Sequence, residues 1–118
     1  MPRHSALSRS RSRPSSSADA PAAAVWGSRP TWLRGFEHGV NEHGVAVGNE
    51  RIWTTTSARE VPPALLGMDI VRLVLERARD ADEALAVCTH LVETYGQGGS
   101  GEADHDAPYF SSFLIADP

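Results

Sequence analysis

The sequence predicts a small α+β domain. Three observations carry that prediction: two consecutive amphipathic helical stretches joined at an aspartate, β-prone apolar segments on either side of them, and an N-terminal stretch almost without large apolar side chains. Two helices with one apolar stripe each need a surface to cover, and the flanking strands supply it. At 118 residues the chain fits one domain, and the part able to build a core is shorter still. Most Leu, Val, Ile, Phe and Trp fall between Val25 and Ile115. The chain therefore divides into an Arg/Ser/Ala-rich tail over 1–27, expected to be disordered, and a folded portion over 28–118.

Taking the elements in order, Trp26 to Trp32 holds Gly27, Ser28 and Pro30 and leads into a strand. Thr31–Phe36 is expected to be that short strand. Asn41-Glu42-His43-Gly44 supplies turn residues, and Val45-Ala46-Val47 follows as an apolar strand, so the pair predicts a hairpin. Arg51–Ala58 is β-prone through Ile52, Trp53 and its threonines. Val61-Pro62-Pro63 ends any strand and opens toward a helix.

That helix, over Leu66–Arg79, has Leu66, Ile70, Leu73 and Val74 on one face and Asp69, Arg72, Glu76 and Arg79 on the other. Asp80 stands where an N-cap belongs, with Glu83 three residues on, as in a capping box. The second helix is expected over Ala81–Thr94, with Leu85, Cys88, Leu91, Val92 and Tyr95 as its apolar stripe and Gly96 ending it. Gly96–Pro108 is a Gly- and Asp-rich loop. Ser111–Ala116 is a strand through Phe113, Leu114 and Ile115, and Asp117-Pro118 opens a turn.

The charge balance narrows the partners. Arg3, Arg9, Arg11 and Arg13 face only Asp19 in the tail, whereas from Ser28 onward seven arginines stand against fourteen acids. An acidic body argues against nucleic-acid binding, which needs a basic face to neutralise phosphates. No apolar run reaches membrane-spanning length, and the first residues lack the apolar middle of a secretory signal. A single cysteine excludes an internal disulfide, which fits a reducing, cytoplasmic setting. The acid-poor tail has the composition of a transit peptide, but a disordered extension or a misplaced start accounts for it more simply.

Several motifs dissolve on inspection. Gly96-Gln97-Gly98-Gly99-Ser100-Gly101 matches the dinucleotide glycine pattern, yet a helix precedes it and a polar loop follows, the reverse of what phosphate binding needs. His38, His43, His90 and His105 lack metal-ligand spacing and a supporting cysteine cluster, so no metal site is assigned. Cys88 lies mid-stripe and is expected to be a buried, protonated packing thiol. No Gly-x-Ser-x-Gly elbow is present. Asn49, ending the Val45–Val47 strand, has two readings: a turn residue in Gly48-Asn49-Glu50, or an amide aimed at developing negative charge.

Four ordered blocks carry a family resemblance: Asn41–Glu50, Ala64–Leu73, Tyr95–Gly99 and Ser112–Asp117. Together they resemble the secernin-type cysteine dipeptidases, N-terminal-nucleophile hydrolases related to penicillin V acylase and bile salt hydrolase. The resemblance covers about 28–118. It implies an αββα sandwich, of which this chain would be an internal piece truncated at both ends, with the helical hairpin as one outer layer. It also implies hydrolysis of amide bonds in small linear peptides by an N-terminal cysteine whose own α-amine is the base. No cofactor and no metal are implied, the partner is a small peptide substrate, and neither nucleic acid nor membrane is expected. By position, Asn49 matches the residue that helps hold the oxyanion in the amidase relatives. The nucleophile lies upstream of the matched blocks, so the isolated chain is expected to be inactive. The alternatives are a non-enzymatic interaction protein, pairing through its Ser111–Ala116 edge strand, and an inactive pseudogene product.

Overall fold

The computed structural model describes residues 20–118; most of the sequence-predicted tail lies outside them. Four antiparallel strands form one sheet in the order β1-β2-β3-β4: β1 Val25–Ser28, β2 His38–Asn41, β3 Ala46–Ile52 and β4 Phe110–Ala116. Two helices, α1 Gly67–Arg77 and α2 Ala81–Tyr95, connect β3 to β4 and pack together over one sheet face. The architecture is thus α+β, as the sequence predicts.

Side chains on a strand alternate between faces, so β3 sorts the whole sheet. Val47 and Asn49 face the helices, while Ala46, Gly48 and Glu50 face away. Val45 and Val47 join Ile70, Val71, Val74 and Leu75 of α1 and Ala84, Cys88 and Leu91 of α2 in one buried core. Burying each of the larger aliphatic side chains contributes roughly 1.5–3 kcal/mol.

The other face is open. Cross-strand partners run Trp26, Val40, Ala46, Ala116 in one row and Ser28, His38, Gly48, Leu114 in the next. Trp26 is 85% exposed and Leu114 77%. An apolar row left in water on one side of a sheet is unusual for a solitary domain and marks a surface fit to be covered.

The helix ends are held locally. Leu66 has no side-chain acceptor, but the Asp69 carboxylate reaches back to accept its N–H at 3.2 Å. Asp80 accepts the Glu83 N–H at 2.8 Å, as an N-cap should. The Glu83 carboxylate accepts from Arg79 N–H rather than from Asp80, so the box closes one residue early. Gly96 ends α2 at φ 74°, where a side chain would be strained. Asp117, expected as a turn residue, accepts the Ala81 N–H at 2.8 Å and ties the end of β4 to the start of α2.

The structure corrects five expectations. Thr31–Phe36 is not a strand: Leu33 N–H turns back to Pro30 O at 3.3 Å and Phe36 N–H donates to Met68 O at 2.9 Å, so the segment's backbone bonds leave the ladder, while the Trp32 side-chain Nε1 donates to Gly101 O at 2.9 Å. The hairpin before the Asn41–Gly44 turn is therefore built from β2. Within Arg51–Ala58 the strand stops at Ile52, because Thr54 Oγ1 donates to Thr56 O and Ser57 caps a 3-10 turn at Ala58–Glu60. On α2 the buried stripe is Ala84, Cys88 and Leu91, and Leu85 and Tyr95 are 60% and 62% exposed; a one-residue offset rotates a side chain by about 100°. Finally, β1 starts at Val25, so the 27/28 boundary falls inside a strand.

Candidate functional site

β2 begins at His38 whereas β3 continues to Ile52. The far half of β3 therefore lacks a neighbour on that side, and a shallow depression runs from the open sheet face around this gap. Asn49, Arg51, Met68, Gly101, Glu102 and Tyr109 line its helix-side end.

Asn49 is the sequence-predicted site residue, and the structure places it in β3 rather than in a turn. Its backbone N–H donates to Glu37 O at 3.1 Å. Its side-chain Nδ2 donates one proton to Ser111 Oγ at 3.2 Å. Among the described residues, no acceptor takes the second Nδ2 proton. A half-buried amide with one proton fixed keeps a second that can donate to an anionic oxygen.

What surrounds Asn49 was not legible as a site in the sequence. Gly67, the first residue of α1, lies directly over it. A Cβ there would overlap Ser111 Oγ and stand 2.8 Å from Asn49 Nδ2. Only a residue without a side chain lets the helix close on the amide. Ser111 itself is buried, and its backbone is held by the Gln97 side chain: Ser111 N–H donates to Gln97 Oε1 at 2.8 Å, and Gln97 Nε2 donates to Ser111 O at 3.3 Å. The Tyr95–Gly99 block, which the sequence explains only as a helix end and loop, thus contributes a polar clamp. An amide side chain isolated among glycines just past a helix was the available signal.

Arg51 lies two residues along the same face. Its guanidinium stacks on the Tyr109 ring, 4.6 Å from the centroid, and stands 3.6 Å from Glu102. The Tyr109 phenol is pushed up chiefly by burial; Arg51 opposes this, and Glu102, Asp69 and Glu37 add to it. The phenol is therefore neutral and its O–H intact across the physiological range.

Cys88 is buried in the core, and burial pushes its thiol up. It is the packing thiol expected from its place in the stripe. Asp104 and His105 pair with each other at 2.7 Å on an exposed loop. Among the described residues no group of three or more His, Cys, Asp or Glu side chains is placed to hold a metal ion. Gly98 and Gly101 are buried in protein contacts rather than open to a phosphate. No helix among the described residues is long and apolar enough to cross a membrane.

No known family model matches this chain. No solved structure matches it with significance.

Proposed function

We propose that this chain is part of an αββα N-terminal-nucleophile hydrolase domain of the secernin-type cysteine dipeptidase kind, and that Asn49 helps hold the oxyanion formed when a small peptide's amide carbonyl is attacked. The observation that carries this reading is Asn49 itself: a strand-borne amide in the lining of an open depression, with one Nδ2 proton fixed on Ser111 and no acceptor for the other among the described residues. Donors of that kind act on charge that develops during reaction, and they act best when they are already oriented.

Two features support it further. The uncovered face with Trp26, Val40 and Leu114 suits a second sheet, packed about 10 Å away as in a sandwich. The helical pair covers the opposite face, as an outer layer does. The attacking thiolate of this chemistry cannot be Cys88, which is buried and protonated. It belongs to a terminal cysteine of the intact enzyme, whose α-amine takes the thiol proton. Attack gives a tetrahedral oxyanion; its C–N bond breaks as the α-ammonium returns the proton to the leaving amine, and water then hydrolyses the acyl-enzyme to the free carboxylate.

The same open face favours a second reading, a non-enzymatic interaction protein whose Trp26 and Leu114 are covered by a partner chain.

The test is to recover the endogenous protein with an antibody against the α1 helix and to assay it on dipeptides, alongside the purified 118-residue chain. The proposal expects thiol-dependent hydrolysis by a heavier endogenous species and none by the chain alone. Asn49→Ala in the active species should lower kcat roughly 10²–10³-fold with little change in KM. An endogenous species of the chain's own mass, without hydrolytic activity, would reject the enzyme reading and favour the interaction protein.

A further inference from the structure

We infer that Gln97 is a positioning residue, which orients the Asn49 amide by clamping Ser111. The inference rests on the reading of Asn49 as an oxyanion donor, but the structural relay stands without it.

The relay has three links. Ser111 pairs with Arg51 across β3 and β4, and its backbone N–H and C=O are taken up by Gln97 instead of a further strand. The Gln97 side chain therefore acts as a one-residue strand at the sheet edge. With its backbone held at both polar atoms and Gly67 closing against its side chain, Ser111 keeps Oγ where it accepts from Asn49. Gln97 is in turn fixed: its backbone bridges to Leu65, Gly98 N–H donates to Leu65 O at 3.0 Å, and Ala64 N–H donates to Gly98 O at 3.3 Å. Leu65 leads directly into α1, whose Gly67 covers Ser111 and Asn49. The segment that anchors the clamp and the glycine that closes over the amide are thus one continuous stretch.

An amide hydrogen-bonded through only one proton can otherwise rotate about its χ2 torsion, which is broad for asparagine. Fixing the acceptor converts a mobile donor into an oriented one, and orientation is what a second proton needs in order to serve an oxyanion.

Proton–nitrogen correlation spectra of the full chain test this, with the Asn49 side-chain signals assigned by their loss in Asn49→Asp. In Gln97→Ala, the Ser111 amide should exchange about tenfold faster, and the two Asn49 Nδ2 proton signals should move together toward those of a free amide. Exchange at core amides such as Leu91 should be unchanged. In Ser111→Ala the Asn49 signals should move while backbone protection at residue 111 persists, which separates the two links. Gln97→Glu supplies rescue: a protonated carboxyl restores a donor to Ser111 O, so the Asn49 signals should be near wild type in acid and shifted once the carboxyl ionises. That comparison is made within one protein and decides the matter even if Gln97→Ala fails to fold. Asn49 signals that ignore both the loss of Gln97 and the ionisation of Gln97→Glu would overturn the relay. None of these measurements uses turnover. An Asn49→Ala enzyme with normal kcat would sink the functional reading and leave the clamp intact.

Discussion

Replacing Asn41 should be among the most damaging single changes in this fold. Asn41 is buried, and its side chain makes four hydrogen bonds. Nδ2 donates to Leu75 O at 2.9 Å and to Ala78 O at 2.6 Å, closing the C-terminal end of α1. Oδ1 accepts from His43 N–H and Val45 N–H, both at 3.0 Å, shaping the turn into β3. One side chain therefore joins the hairpin turn to the helix that covers it. Asn41→Ala removes all four bonds, and at a net value of about 1 kcal/mol each the loss is about 4 kcal/mol. Val45, Leu75 and Ala78 are fully buried, so water replaces the lost partners poorly and that figure should not shrink much. In a domain of this size the midpoint of thermal unfolding should fall by about 15–30 °C. Urea titration followed by far-UV circular dichroism measures the free-energy loss, and a thermal melt by the same signal measures the midpoint shift. Asn41→Asp sharpens the argument: it keeps the acceptor for the turn but sets a carboxylate against the carbonyl end of a helix. It should be no better than Asn41→Ala at neutral pH and should recover partly in acid, where the carboxyl becomes a donor. An Asn41→Ala chain within about 1 kcal/mol of wild type would refute the reasoning.

Further perturbations test other parts of the structure. Gly67→Ala gains helix propensity but drives a methyl into Ser111 and Asn49, so it should destabilise by about 1–3 kcal/mol; a stabilised variant in urea titration would show that α1 does not close on Asn49. Asp80→Ala removes the α2 N-cap bond and should cost about 1 kcal/mol by the same assay. Leu114→Lys, on the open face, should leave stability within about 0.5 kcal/mol while reducing binding of an apolar fluorescent dye; a large loss of stability would mean that this face is already covered. The Cys88 thiol and the Tyr109 phenol both titrate above their ordinary values of 9.0 and 10.0, through burial. Each loses its proton earlier in the unfolded chain, so stability is complete below those values and falls as pH rises through them. Tyr109→Phe should flatten the alkaline limb of the stability–pH curve, and an unchanged slope would exclude its part.

The elements whose signals are local were legible in the sequence. The α1 periodicity from Leu66 onward, the Asp80 cap, the Gly96 stop and the Asn41–Gly44 turn each depend on residues within a few positions of one another. Such bonds form wherever that stretch of chain folds. Cys88 was legible for the same reason, since its neighbours on the helix are apolar. The short strands were less so. β1 and β2 have only four residues each, and Thr31–Phe36 has the composition of a strand, yet its hydrogen bonds go to α1 and to the Gly101 loop. Of the candidate site, the sequence offered Asn49 as a residue type at a strand end and nothing of its surroundings.

From sequence alone, then, came the two helices, the Asp80 cap and Gly96 stop of the second, the turn and the α+β class, because helical period and capping chemistry are written over short spans. Tertiary packing settled which residues meet. β4 pairs with β3 from across the whole helical hairpin, and Asn49 reaches Ser111 over 62 positions. Ser111 lies 14 positions from Gln97. Contacts of that range follow from how the sheet buries one face against α1 and α2, a property of the assembled core that no short stretch of residues contains.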